Sequence, residues 1–224
     1  MAANALRIAV LGAGRMGREV CDVIDAKGEC ELAGVWSRSA DCELATLLGN
    51  ADVAIDFTLP GATAEVLRTA AATGTPLVCG VTGLDSEAEQ LLDTVAASIA
   101  ILYERNMSRG IAVMLQLLGP AAQALGSDFR VEIRETHHRH KKDAPSGTAI
   151  ALREALGDPS IDIHSRREGE VAGDHTVIFS SDSESLTVAH SVARRRVFAE
   201  GAVAAACWLH DKPRGRYRMS DIGP

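Results

Sequence analysis

The sequence predicts an α/β protein in two parts: an N-terminal doubly wound parallel sheet, then a smaller α+β domain with an open mixed sheet. Three observations carry that prediction. Short apolar runs alternate with helix-patterned stretches from Leu6 to Tyr103, the rhythm of parallel strands joined by crossover helices. The first run ends in Gly12-x-Gly14-x-x-Gly17. After Asn106 the rhythm gives way to one long apolar helix and several alternating strands. Aromatic residues are only 4% of the chain while hydrophobic residues are 46%. The core is therefore aliphatic, which suits α/β layers better than an aromatic-rich sandwich.

The elements follow in order. Leu6 to Leu11 is the first strand, and a helix runs from the glycines to about Lys27, with Gly28 as its stop. Glu31 to Trp36 and Val53 to Phe57 are the next strands. Ala62 to Ala72 is a helix ended by Gly74; Pro76 to Gly80 is a strand, Ser86 to Ala97 a helix and Ile99 to Tyr103 the fifth strand. Beyond Asn106, Ile111 to Leu125 reads as a helix, Phe129 to Glu135 as a strand, and Ser146 to Leu156 as a helix stopped by Gly157 and Pro159. Thr176 to Ser180, Ser185 to His190 and Arg195 to Ala199 read as strands of a second sheet. Gly201 to Leu209 is helical, and the tail from Asp211 is a loop with a short closing segment.

Composition narrows the function classes. A net charge of −7 argues against general nucleic-acid binding. No apolar run reaches membrane-spanning length, and the start MAANALRIAV lacks the pattern of a secretory leader. The five cysteines, Cys21, Cys30, Cys42, Cys79 and Cys207, form no C-x-x-C pair. The expectation is a reduced, cytoplasmic protein with no metal site.

The glycine triplet lies between a strand and a helix, where it suits a dinucleotide. Gly12 permits the tight turn, Gly14 lets backbone approach a pyrophosphate, and Gly17 lets helix and strand pack closely. The helix N-terminus then offers amides to the phosphates. NAD-binding versions end the second strand with a carboxylate. Here the sequence is Val35-Trp36-Ser37-Arg38-Ser39. Arg38 can pair with a 2′-phosphate, with Ser37 or Ser39 adding a donor, so NADPH is expected over NADH. The plainer reading of Arg38 is a solvated loop residue that leaves either cofactor acceptable.

Glu135 to Ala149, ETHHRHKKDAPSGTA, is the densest cluster of chemistry. His137, His138, His140, Lys141 and Lys142 fall within six positions. Ser146 is a natural N-cap, Gly147 leaves the first turn open, and helix amides with the Thr148 hydroxyl make a carboxylate or phosphate pocket. Histidine and lysine beside that pocket suit general acid work. A metal site is the rival reading, against which Lys141 and Lys142 would repel a cation. A solvated basic face is the other, which the adjoining Pro-Ser-Gly-Thr disfavours. Arg194-Arg195-Arg196 is a second basic cluster, placed in an expected strand that sends alternate side chains to opposite faces. One of the three is expected to bind a second carboxylate, and position alone does not say which.

These residues resemble the 4-hydroxy-tetrahydrodipicolinate reductase (dihydrodipicolinate reductase) family of lysine and diaminopimelate biosynthesis. The block HHRHKKDAPSGTA is similar to the family signature. GAGRMG, IDFT at Ile55 to Thr58, GVTG at Gly80 to Gly83, RNMSRG at Arg105 to Gly110, SRREG at Ser165 to Gly169, GDHTVIF at Gly173 to Phe179 and HSVARRRVFAEGA at His190 to Ala202 fall in the family's order. The resemblance implies His137 and Lys141 as the proton-transfer pair, with His138, Gly147, Thr148 and Arg195 holding substrate. It implies cofactor contacts from Gly12, Ala13, Gly14, Arg15, Met16 and Gly17, from Ser37 and Arg38, from Phe57 and Thr58, from Gly80, Val81 and Thr82, and from Arg105, Asn106, Met107 and Ser108. The implied organisation is a dinucleotide-binding (Rossmann) domain over 1–106, with 200–224 packing back on it. Residues 107–199 would form a substrate-binding and oligomerisation domain. The implied reaction is hydride transfer from NADPH or NADH to a ring imine bearing two carboxylates, then protonation. A small dicarboxylate substrate and a homotetramer follow from the same resemblance. The chain departs from the family in its tight glycine spacing, in Arg105, and in the short Glu170-Val171-Ala172 link between SRREG and GDHT, which marks it as a shortened member. Two other readings are a regulatory nucleotide-binding protein of this fold that has lost turnover, and a different two-domain amino-acid dehydrogenase.

Overall fold

The computed structural model describes residues 5–39 and 42–223. The first four residues, on which the leader expectation partly rests, lie outside them. In chain order the elements are β1 (Leu6–Leu11), α1 (Arg15–Asp25), β2 (Cys30–Trp36), α2 (Leu44–Gly49), β3 (Val53–Asp56), α3 (Pro60–Thr73), β4 (Leu77–Cys79), α4 (Ser86–Ala96), β5 (Ala100–Tyr103), α5 (Arg109–Leu125), β6 (Arg130–His137), α6 (Gly147–Leu156), β7 (Ile163–Arg167), β8 (Asp174–Ser180), β9 (Ser185–Ser191), α7 (Arg196–Leu209) and β10 (Gly215–Tyr217). They form two compact units, residues 1–108 with 196–224, and residues 109–195. No helix among the described residues is long and apolar enough to cross a membrane.

The first unit is built on a sheet ordered β10-β5-β4-β3-β1-β2. Its ladders are parallel, and its inner strands β3, β4, β5 and most of β1 are buried on both faces, as helices on either side require. Ala9, Leu11, Ala54, Leu77 and Ile101 pack under α2, α3 and α4 with Leu47, Leu48, Val66, Leu67, Leu92 and Val95. Strand alternation turns Ile8, Val10, Val53, Ile55, Val78 and Leu102 to the other face, where α1 and α7 lie against each other and α7 meets β3, β4 and β5. The strand order reverses at β1, which pairs with β2 on one side and β3 on the other. Leu11 is level with both Trp36 and Asp56. The loops that begin at Gly12, Ser37 and Phe57 therefore leave the sheet side by side, at the switch point where such folds bind ligands.

The second unit has a sheet ordered β7-β6-β8-β9, with β6–β7 parallel and the other pairs antiparallel. One face buries Ile133, Val177 and Phe179 against Ile111, Met114 and Leu118 of α5 and Ala149 and Leu152 of α6. Side chains of that size each contribute about 1.5–3 kcal/mol when fully buried. Because β7 and β8 flank the same strand, residues 168–173 must cross the C-terminal end of β6. The arch is fastened there, with Glu168 N–H donating to the His137 carbonyl at 2.8 Å and Arg139 N–H to the Gly169 carbonyl at 3.2 Å.

Two local expectations are corrected, and two further elements appear where none was expected. Arg195 to Ala199 is not a strand: α7 begins at Arg196, and the Arg196–Glu200 ion pair at 3.2 Å uses the i,i+4 spacing of a helix. Arg194 and Arg195 precede it between a bend at Ala193 and the helix, Arg195 in a turn, so strand alternation does not apply to them. Gly215–Tyr217 is an edge strand alongside Ala100–Leu102 of β5 rather than loop. Ile163–Arg167, left unassigned by the sequence, is a strand that pairs with β6. Leu44–Gly49, also unassigned, is a short helix burying Leu44, Leu47 and Leu48.

The cysteines group more than their spacing suggests. Cys30 and Cys207 Sγ approach to 3.5 Å, and Glu29 completes a trio of ligand-type atoms within 4.8 Å of one another. Burial, with the neighbouring Cys207, pushes the Cys30 thiol up to about 12, and Lys27 Nζ sits 3.5 Å from the Glu29 carboxylate. Burial thus favours the protonated form of the Cys30 thiol, and Lys27 already partners the Glu29 carboxylate.

Candidate active site

The second unit's site grows from strand register. In RVEIRETH, alternation puts Ile133, Glu135 and His137 on the helix-covered face of β6. Glu135 is level with His175 of β8, which is level with His190 of β9. His137 is level with Arg167 of β7. Four strands thus place a carboxylate, a guanidinium and three imidazoles at one end of one face.

The cluster is closely bonded. Glu135 has a side chain with 0% exposure. Its Oε2 meets His137 Nδ1, and its Oε1 accepts from Arg167 Nη2 at 2.9 Å and from the Ser146 N–H at 3.3 Å. Arg167 Nη2 also donates to the Asp143 carbonyl. Burial alone would raise the Glu135 carboxyl, but the Arg167 guanidinium, Ser165 and His137 outweigh it and hold it below the ordinary range. Burial pushes His137 down against the pull of Glu135, with Lys141 and Arg167 adding to the fall. His175 meets His137 edge to face, centroids 5.1 Å apart, and burial with the neighbouring His137 takes it down to about 4.

The loop after β6 leads to α6. Lys141 is half-buried, its Nζ 2.8 Å from Asp143 Oδ1. Ser146 caps α6 by accepting from Ala149 N–H at 3.2 Å. Gly147 and Thr148 then open a turn whose first amides the helix itself does not use, and a Cβ at Gly147 would meet nothing within 4 Å. A carboxylate can approach there. His138 is half-buried on the same loop, while Arg195 is exposed on the turn before α7. His137, Lys141 and the α6 cap are linked through Glu135, Arg167 and Asp143; Arg195 takes no part in those bonds. The sequence reading did not single out Glu135, Arg167, His175 or His190 for roles. The alternation of RVEIRETH was the signal for Glu135, but only inter-strand register reveals the others.

The first unit's loops are shaped by their glycines. Gly12 (φ +109°) turns the chain beneath the Phe57 carbonyl, and a Cβ there would lie 2.6 Å from that oxygen. A Cβ at Gly17 would lie 1.7 Å from the Gly12 carbonyl, whereas one at Gly14 would meet nothing within 4 Å. Gly14 caps α1 without a side-chain hydrogen bond, so the open position faces the turn that can take a phosphate. The Gly80 position is filled by the Phe57 ring, 2.3 Å from where a Cβ would be. Buried Asp56 Oδ2, Thr58 Oγ1 and Thr63 Oγ1 have no partner. Unmet polar atoms beside an open, uncapped helix start fit a nucleotide. Arg38 is exposed past β2 and donates to the Gly61 carbonyl. Arg105 is drawn to α4 by Glu89 at 2.7 Å. Asn106 Oδ1 accepts from Ser108 N–H at 2.9 Å, and Met107 is packed beneath α7, where a Cβ at Gly201 would lie 1.7 Å from its carbonyl.

Known proteins resemble this chain along nearly its whole length. Residues 6–107 match the family model for the dihydrodipicolinate reductase N-terminus, and residues 110–222 that for its C-terminus. A 4-hydroxy-tetrahydrodipicolinate reductase of Bdellovibrio bacteriovorus is 40% identical over 225 residues, covering 97% of this chain and 96% of that one. The one from Caulobacter vibrioides is 38% identical over 248 residues, covering 97% and 96%. The first alignment is about as long as this chain, so the short length is shared with a relative. Among solved structures, a dipicolinate-bound dihydrodipicolinate reductase from Paenisporosarcina sp. TG-14 superposes with TM-score 0.83 at 23% identity, covering 98% of this chain and 100% of that one. At that identity it shows the fold: a parallel nucleotide-type sheet joined to a second, mixed sheet. By both family models and full-length relatives, the chain belongs to the dihydrodipicolinate reductase family.

Proposed function

We propose that the protein reduces 4-hydroxy-tetrahydrodipicolinate, by way of dihydrodipicolinate, to tetrahydrodipicolinate with a reduced nicotinamide nucleotide. The observation that carries this is the block from Glu135 to Thr148, which joins an imidazole, an ammonium and an open helix start in one bonded group. Such a group suits a dianionic ring that must be held and then protonated. The α6 start, through Gly147 and Thr148, would take one carboxylate, with His138 and Arg195 as further substrate contacts. His137 and Lys141 would handle the proton.

The nucleotide would lie on the loops of the first unit. Gly12 to Gly17 would meet the pyrophosphate, Phe57 and Thr58 with Gly80 to Thr82 would line its path, and Arg105 to Ser108 would close it. When bound it supplies the hydride; the chain's own residues position the acceptor and supply the proton. Arg38 with Ser37 supports a preference for NADPH, since no carboxylate ends β2 to receive a ribose 2′-hydroxyl. The regulatory reading and the other-dehydrogenase reading are disfavoured, because full-length relatives carry the reductase name. Assembly is proposed through the second sheet's uncovered face, where Thr136, Thr176 and Ile178 are half-buried, to a homotetramer working in the cytosol.

The test couples purified protein to dihydrodipicolinate synthase and follows NADPH absorbance. Substrate-dependent oxidation is expected, with kcat/KM higher for NADPH than NADH. A folded protein that binds nucleotide without turning over returns the case to the regulatory reading. Light scattering decides the tetramer.

A further inference from the structure

We propose that Glu135 and Arg167 are positioning residues that fix the tautomer of His137, so that its Nε2 enters the reaction as an unprotonated acceptor beside Gly173. The inference rests on the proposed reaction for where His137 acts, but the tautomer itself follows from the free protein.

The argument is one of donors and acceptors. An ionised carboxylate can only accept. Glu135 is buried, and a buried carboxylate stays ionised only when paired. Arg167 supplies that pairing at 2.9 Å, and the Ser146 N–H adds a second donor to the same oxygen. The other oxygen then faces His137 Nδ1, which must carry the proton. Nε2 is left as a lone pair. The remaining groups around the ring do not reverse this. Lys141 from the following loop and Arg167 from β7 are cations and disfavour a second proton. His175 of β8 is held neutral by burial, and its own cross-strand neighbour His190 is also pushed down by burial. Gly173 leaves space at Nε2: a Cβ there would stand 3.0 Å from it, and its φ of +155° suits glycine alone.

This tautomer sets the order of events. Neutral His137 has no proton on Nε2 to give. Nε2 must first take one from solvent when the dianion binds, forming an imidazolium that Glu135 stabilises. As the ring carbon's new C–H bond forms, the Nε2–H bond breaks, and His137 returns to its Nδ1–H form. Hydride from the nucleotide and this proton together complete the reduction.

Two readouts test the proposal. In 15N-histidine NMR of the free protein near neutral pH, the resonance lost in His137→Asn should show the Nδ1–H pattern. Glu135→Gln and Arg167→Met should weaken it or turn it to Nε2–H, while Arg167→Lys should retain it. Under turnover, Glu135→Gln should lower kcat by about 10²-fold, the lower end of proton-transfer effects. KM for the nucleotide should stay within about twofold. The alkaline limb of kcat/KM should move to lower pH, since the carboxylate that favours the imidazolium is gone. An Nε2–H pattern in the parent protein overturns the proposal even if a variant fails to fold. So does a Glu135→Gln protein with unchanged spectrum and unchanged alkaline limb. A parent protein that shows the Nδ1–H pattern but never oxidises NADPH counts against the reaction and supports the positioning.

Discussion

Lys141 Nζ lies 2.8 Å from Asp143 Oδ1, so the ammonium offered to the substrate already has a carboxylate partner two residues away. Asp143 is itself held below the ordinary range, because Lys141 outweighs the cost of its burial. Lys141→Ala should lower kcat by about 10²–10³-fold, leaving nucleotide affinity intact. Thr148→Ala should chiefly raise KM for the dicarboxylate. Asp143→Asn breaks a pair between partly exposed groups, worth under about 1 kcal/mol, and should cost far less turnover than Lys141→Ala. Steady-state kinetics on the three variants decides this; an Asp143→Asn loss as deep as that of Lys141→Ala would put Asp143 in the reaction.

The first unit separates a glycine needed for packing from one needed for access. Gly17→Ala drives a methyl into the Gly12 carbonyl and should cost about 3 kcal/mol or more by overpacking. Gly14 has φ −74° and ψ −168°, which alanine adopts freely, with open space for its methyl. Gly14→Ala should therefore keep the parent melting temperature but raise the dissociation constant for NADPH about tenfold or more. Calorimetric melting and a fluorescence titration are enough. Equal damage to stability in both would remove Gly14 from the phosphate site.

Buried His175 gives the second unit a pH dependence. Its ordinary value is about 6.5, and folding takes it to about 4. Between those values the unfolded chain binds a proton that the folded chain does not, so stability rises with pH. The contribution is complete above about pH 6.5 and is lost as pH falls toward 4, about 3 kcal/mol in all. Urea unfolding of the parent and His175→Gln at pH 5 and pH 7.5 should show a difference between them that shrinks at pH 5. A difference independent of pH contradicts the burial argument.

Asp56 works the other way in the same window. Burial raises its carboxyl to about 6, against the lowering by the Thr58 N–H, which donates at 2.8 Å. An ordinary aspartate sits near 3.9, so here the folded chain binds the extra proton and stability falls as pH rises from about 4 to 6. Asp56→Asn keeps an acceptor for Thr58 and removes the buried charge. It should stabilise the protein by about 1–3 kcal/mol at pH 7.5 and by less at pH 5. A loss of stability at pH 7.5 would show instead that the ionised form has a use in the nucleotide loop.

Much of the first unit could be read from sequence because its inner strands are buried on both faces and its helices are punctuated by glycines, as at Gly28 and Gly74. The failures have physical causes. Arg195 to Ala199 runs from two arginines into the strand-favouring pair Val197-Phe198, but Ala199 sits fully buried at the start of an alanine-rich helix, and that packing sets the local conformation. Gly215–Tyr217 and Ile163–Arg167 are edge strands with little apolar content, defined by the neighbour they pair with. His137, Lys141, Gly147 and Thr148 were legible as adjacent letters. Glu135, Arg167 and His175 were not, because their meeting depends on which rungs of three strands align.

The arch from Glu168 to Gly173 has a consequence for chain length. Six residues can reach about 20 Å, while stepping over one strand to the next but one needs only about 10 Å. The span is already met with slack, and Glu170 at its outer side is exposed. Extra sequence spliced there should loop outward without shifting any rung of the ladder, whereas deletions would soon pull Gly173 off the imidazole it shelters.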